Sequence, residues 1–300
     1  MQVLWLNTEL FLLHGFPFIP RSIGLECLLF PTRWFTRSAW NDRKTLAAMA
    51  QLERTQQHGR FLWMIAPDLS DNNALQLLLD QFCAEAGHRG CFHLTASIDD
   101  ASPLVEQFKL NGFSPLGWEH VLLYENLDSE PLAEKTGWRR TNAYDIPAIN
   151  ALQNKILSLT EKWTANSIYE NPPQYTLEIN DELLGFAFVM LNGSIAVITP
   201  TYSNLVQSPQ KMTKSLIQSH LIDVIHAYIV LKSNHPQSAF SLLEHYKIAS
   251  GTKIRMVKHI ALRNVSEEAE RNQITNGQKT DVLTPLSKSF KDKIVSSTKK

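Results

Sequence analysis

TLAAMAQLERTQQHGRFLWMIAPDLSDNNALQLLLDQFCAEAG, residues 45–87, decides how this 300-residue chain is read. Its arms TLAAMAQLERT (45–55) and RFLWMIAP (60–67) are rich in apolar residues. Joined by a turn at Gln57, His58 and Gly59, they read as a β-hairpin. Pro67 and Asp68 end the second arm. Leu75, Leu78, Leu79 and Phe82 then recur at i, i+3, i+4 and i+7, which predicts an amphipathic helix, with Gly87 and Gly90 marking its C-terminal end. CFHLTASI (91–98) reads as a strand and SPLVEQFKLNGF (102–113) as a short helix stopping at Asn111 and Gly112. WEHVLLYE (118–125) reads as a closing strand. The order is hairpin, helix, strand, helix, strand.

The same order returns downstream. NLDSEPLAEKTG (126–137) is polar, contains Pro131 and reads as a linker. GWRRTNAYDIPAINALQNKIL (137–157) starts as a strand and turns helical, with Asp145 as the expected N-cap and Pro147 in the first turn. In 174–200, Asn180-Asp181 and Asn192-Gly193 mark two tight turns between three antiparallel strands. A helix follows with Leu216, Ile217, Leu221, Val224 and Ile225 on one face, then strand 229–232, helix 235–247 and strand 252–263. An internal repeat of this size predicts two lobes, 1–125 and 138–263, around the linker 126–137. The strands ending at Ala66 and Thr199 are taken as equivalent. Residues 264–300 are polar and rich in Ser, Thr and Lys, the composition of a disordered tail. Residues 1–43 are irregular, with LWLNTELFLL reading as a buried strand.

Apolar residues make up 44% and charged residues 19%, enough to build a core. The formal net charge is zero, so no global field draws nucleic acid or an anionic membrane. Cys27, Cys83 and Cys91 form no C-x-x-C pair, which argues against a disulfide framework and fits a reducing cytoplasm. No apolar run has the length of a membrane span. The ten histidines show no ligand spacing, so no metal site is expected.

The element order, with Ala50-Gln51-Leu52 on one strand, Ile65-Ala66-Pro67 ending the next and Gln107 to Phe113 closing the short helix, resembles the GNAT acetyltransferase superfamily. Two-lobed bacterial members are the nearest in pattern, and the run MVKHIALR is similar to their last strand. The resemblance implies an α/β fold: tandem lobes, each a mixed, mostly antiparallel sheet flanked by helices. It also implies transfer of an acetyl or other acyl group from acetyl-CoA or another acyl-CoA to a small-molecule or peptide amine. The alternative is a catalytically inactive pair that binds a ligand or protein, or serves as scaffold.

The family's chemistry needs four parts. A diphosphate cradle of backbone N–H groups opens the central helix, where small residues let the anion approach. The matching positions run from Ser70 to Leu75, without glycine and with Asp71 in the way. In the second lobe they are Pro209, Met212 and Lys214, with Lys211 and Lys214 as point charges. By the resemblance, Met64, Ile65, Ala66, Asn72, Asn73 and Ala74 would line the cofactor. A free N–H beyond a splayed strand should hold the thioester carbonyl, from Trp63–Ala66 or Val197–Thr199. The family's tyrosine acid falls on Phe108, which donates no proton; Tyr246 stands in the corresponding region of the second lobe. Gln51, Glu53, Glu178 and Glu182 are the candidate bases on strands.

Overall fold

The computed structural model describes residues 3–14, 33–40, 46–55, 57–66, 72–125, 137–156, 172–232 and 242–260. The first half contains β1 (Val3–Trp5), α1 (Thr8–His14), β2 (Trp34–Trp40), β3 (Leu46–Thr55) and β4 (His58–Ile65). It continues with α2 (Asn72–His88), β5 (His93–Asp99), α3 (Leu104–Leu110) and β6 (Ser114–Glu125). The second half contains β7 (Trp138–Arg140), α4 (Ile146–Ile156), β8 (Tyr175–Ile179), β9 (Glu182–Asn192) and β10 (Ile195–Tyr202). After these come α5 (Pro209–His220), β11 (His226–Lys232), α6 (Leu242–His245), β12 (Lys247–Ile248) and β13 (Lys253–His259). The fold is α/β, two lobes of mixed, mostly antiparallel sheet flanked by helices. Residues 126–136 of the proposed linker and the whole tail lie outside the described residues.

All strands belong to one sheet whose main path runs β2-β3-β4-β5-β13-β6-β11-β10-β9-β8-β7. That path is nearly palindromic. Each half has one parallel contact, β4 with β5 and β10 with β11, and every other pairing along the path is antiparallel. The halves also exchange their last strands. β13 pairs with β5 of the first half, β6 pairs with β11 of the second, and the two meet antiparallel at the centre. The cores follow the exchange. Ile254 and Met256 of β13 bury into the cluster around Phe61 and Phe82, while Leu122 and Tyr124 of β6 bury among Leu177, Ile198 and Leu216.

The amphipathic reading of 72–88 holds: Leu75, Leu78, Leu79 and Phe82 are all buried. Gly90 ends the helix at φ +78, with Cys91 N–H donating to Ala86 O in a left-handed cap. Four details differ from expectation. The hairpin turn sits before His58, and Gly59 lies within β4, where an added Cβ would come within 2.5 Å of Leu94 Cδ2; space, not turn geometry, requires glycine there. Asn142, not Asp145, opens the turn before α4; Asp145 accepts from the Asn142 N–H in a capping box. Ile225 is exposed, because α5 already stops at His220. Lastly, β9 and β10 turn where β3 and β4 do, which aligns Ile195 with His58. Ser203, rather than Thr199, is therefore the partner of Ala66, and β10 runs straight through Pro200.

Candidate functional site

Two parallel strands that pair and then diverge leave a fork whose edges carry unpaired backbone groups, and this fold has two such forks. In the first half β4 and β5 pair only over His58–Arg60 and His93–Thr95. The gap beyond is filled by the chain's own first strand. Val3, Leu4 and Trp5 lie antiparallel to Ile65, Met64 and Trp63. Leu6 then bridges both sides: its N–H donates to Leu62 O at 3.0 Å, and its carbonyl accepts from Ser97 N–H at 2.9 Å. Met64 and Ile65 therefore stand between β3 and β1, paired on both sides.

The rest of the first-half expectations resolve in the same direction. Ala74 and Leu75 point into the core and Asn73 is exposed, so Leu75 does not crowd a diphosphate. Asn72 opens the helix, and Ser70 and Asp71 fall outside the described residues. Phe108 is fully buried with its ring 5.7 Å from Phe61 and 4.8 Å from Phe113, a packing residue. Gln51 accepts from Trp63 Nε1 at 3.0 Å. Glu53 is buried and accepts from Arg33 and Arg60 at 2.9 and 2.7 Å, so it is held as a charge partner.

Beyond Leu6 the chain crosses the centre of the sheet. Thr8 Oγ1 donates to Glu119 at 2.9 Å, Glu9 pairs with Lys232 at 3.2 Å, and Arg255 stands 3.4 Å from Glu119. These side chains enclose a polar cavity of about 40 Å³, room for ordered water. α1 continues onto the second half, where Leu12 and Leu13 pack with Val121, Val197 and Val230.

The second fork differs. β10 and β11 pair over Ile195–Ile198 and His226–Ile229; beyond that β10 keeps only β9, and β11 keeps only β6. Among the described residues no strand pairs with Thr199–Tyr202 on the β11 side. Ser203 N–H donates to Leu184 O, so by the alternation of an antiparallel ladder Thr199 and Thr201 turn toward β9. Pro200 and Tyr202 then face the fork, and Pro200 has no N–H to offer.

The loop beyond β10 leads to the start of α5. Leu205 and Val206 N–H groups fold back on Ser203, and Leu205 is exposed. Ser208 occupies the N-cap position without a side-chain cap, Pro209 takes the first turn, and Lys211 is exposed. Tyr202 OH and Thr213 Oγ1 lie 2.7 Å apart; Thr213 donates to Pro209 O, so the phenol is the donor of that pair. Tyr246 OH donates to Gln210 O in the same turn at 3.2 Å, and burial raises its pKa, keeping it protonated. Glu178 and Asp145 share Arg139, at 2.6 and 2.7 Å, and Glu182 is exposed. An open cleft of about 630 Å³, lined by Arg140, Asn142, Ile146, Pro173, Tyr175 and Leu191, is built on β8, β9 and the start of α4, with no residue of β10 or β11 in its lining.

No protein-family description matches the chain, and no curated protein does. Among solved structures, the chain is similar to a GCN5-related N-acetyltransferase from Sphaerobacter thermophilus at 12% identity. That match covers 75% of this chain and 80% of the other, with a TM-score of 0.49. A GCN5-related N-acetyltransferase from Kribbella flavida matches at 12% identity over 79% and 93% of the two chains, TM-score 0.48. A tandem GNAT protein from the clavulanic acid biosynthesis pathway matches at 10% identity over 77% and 85%, TM-score 0.42. The fold assignment rests on the strand order and the two forks. No helix among the described residues is long and apolar enough to cross a membrane. The insertion of β1 into the first fork had no sequence signal, and the strand reading of LWLNTELFLL is right only for its start: Leu4 and Trp5 lie in β1, whereas Thr8–Leu13 belong to α1.

Proposed function

We propose that this chain is a tandem acyltransferase in which the second half alone takes acyl-CoA, while the first half serves as scaffold. The acceptor is a small-molecule or peptide amine. The observation that carries the reading is the contrast between the forks: β1 occupies the first, and no described strand occupies the second. Aligning His58 with Ile195 moves the expected cofactor positions Met64, Ile65 and Ala66 onto Thr201, Tyr202 and Ser203. The helix start Asn72, Asn73 and Ala74 moves onto the first turn of α5. There Lys211 and Lys214 supply positive charge for a diphosphate. Tyr246 supplies a protonated phenol able to meet a departing thiolate when the amine attacks the thioester carbonyl.

A second reading, a silent fork that binds without transfer, is favoured by two observations. Pro200 removes an N–H where the acyl carbonyl would seek one, and Glu53 and Glu178 are held by arginines. Calorimetric titration of acetyl-CoA, alongside a thiol-release assay over a panel of amines, separates the readings. Binding with release supports transfer, binding without release supports the silent fork, and no binding overturns both.

A further inference from the structure

β9 runs past the end of its neighbour β8. The ladder between them closes at Tyr175 and Ala187, and Gln174 carries it one step further. Its N–H donates to Ala187 O at 3.1 Å, and its side-chain Oε1 accepts from Val189 N–H at 2.6 Å. A side-chain amide thus stands where a strand would have continued. By the alternation of an antiparallel ladder the backbone of Leu191 turns to the same side, and among the described residues no strand pairs with it there. Val189 and Leu191 both line the open cleft of about 630 Å³, a volume typical of small-molecule sites.

The lining has a distinct chemical character. Ile146, Pro173, Tyr175 and Leu191 make it apolar, and Arg140 is its one charged side chain among the described residues. Arg139, next in sequence, is held by Asp145 and Glu178. Arg140 is exposed, and no described carboxylate pairs with it. The Thr141 hydroxyl oxygen, also in the lining, is buried with no hydrogen-bond partner among the described residues, a cost that a bound polar group would relieve.

We propose that this cleft binds a small-molecule monocarboxylate with an extended apolar body, of the size of a medium-chain fatty acid. Arg140 presents the planar fork that carboxylates match, and Leu191 N–H is a further donor in the lining. One guanidinium balances a single negative charge, not the nearly two of a phosphate monoester. The apolar walls take the chain, whose burial supplies most of the affinity. The lining holds no residue of β10 or β11, so the site is independent of acyl transfer at the second fork.

Calorimetric titration with sodium decanoate tests the site, with decanol and octanoate as comparators. Saturable binding of one decanoate per chain is expected. Decanol, which lacks the charge, should bind about tenfold more weakly or worse. Octanoate, shorter by two methylenes, should bind about tenfold more weakly. Arg140→Gln should weaken decanoate by about tenfold or more, and Leu191→Glu, which sets a carboxylate in the cleft, by at least as much. Both residues are exposed, and a melt without ligand checks that each variant folds. Lys211→Gln, at the start of α5, should leave decanoate binding intact. No saturable binding, decanol as tight as decanoate, affinity unchanged in Arg140→Gln or Leu191→Glu, or loss in Lys211→Gln would each overturn the proposal.

Discussion

Replacing Leu6 by alanine tests whether the chain plugs its own first fork. Leu6 is 2% exposed and packs in the first-half core, and its backbone bonds β4 on one side and β5 on the other. Truncating a buried leucine costs about 2–5 kcal/mol, the transfer of the lost methyls plus the cavity they leave. The fork is narrow and its walls are tied by strand ladders, so little collapse can relieve that cavity. A value of about 3 kcal/mol is expected. For a unit of this size each kcal/mol moves the melting temperature by about 2–4 °C, so a drop of roughly 6–12 °C should follow. Denaturant unfolding followed by tryptophan fluorescence reads it, because Trp5 and Trp63 face each other across the same junction. If β1 were loosely placed, Leu6→Ala would behave as a surface change, within about 0.5 kcal/mol. That result would refute the plug.

Further predictions bear on other parts of the molecule. Pro200→Ala returns an N–H to the second fork and should strengthen acetyl-CoA binding without lowering stability, by calorimetry and melt. Gly137→Ala should destabilise by about 2–3 kcal/mol in denaturant unfolding, because φ is +76 and a Cβ would meet Glu178 O. Burial, with Arg60 nearby, lowers the pKa of His58 to about 3, so the fold holds it neutral. Its folded pKa lies below the unfolded 6.5, so stability is full above pH 6.5 and falls as pH drops toward 3, by at most about 1.4 kcal/mol per pH unit. His58→Gln should flatten that slope in pH-dependent unfolding. The hydrogen bonds from Arg139 hold the Asp145 carboxyl below its usual range, so its contribution is present above about pH 4 and lost on further acidification. Asp145→Asn should remove that acid dependence.

Much of the fold was legible because periodicity reports burial. Leu75, Leu78, Leu79 and Phe82 marked a helix face, and Asn180 with Asp181, both at positive φ, marked a hairpin turn. The repeat itself could be read from element order. Less legible was anything decided by pairing between distant segments. The exchange of β6 and β13 leaves no local trace, since a buried strand has the same composition beside either neighbour. The insertion of β1 is likewise a product of register. The strand equivalence slipped by four residues because the Ala66-Pro67 and Thr199-Pro200 pairs look alike, whereas hairpin turns set the true alignment. The charge pairing of Glu53 was illegible for an electrostatic reason: it sits among arginines that sequence distance hides.

On the proposed function the two forks differ, β1 filling the first and acyl-CoA entering the second. Amide hydrogen exchange with and without saturating acetyl-CoA tests it most directly. New protection is expected in peptides covering 198–214, with none in 62–75, where β1 already shields the strand. Protection appearing in 62–75 would contradict the claim.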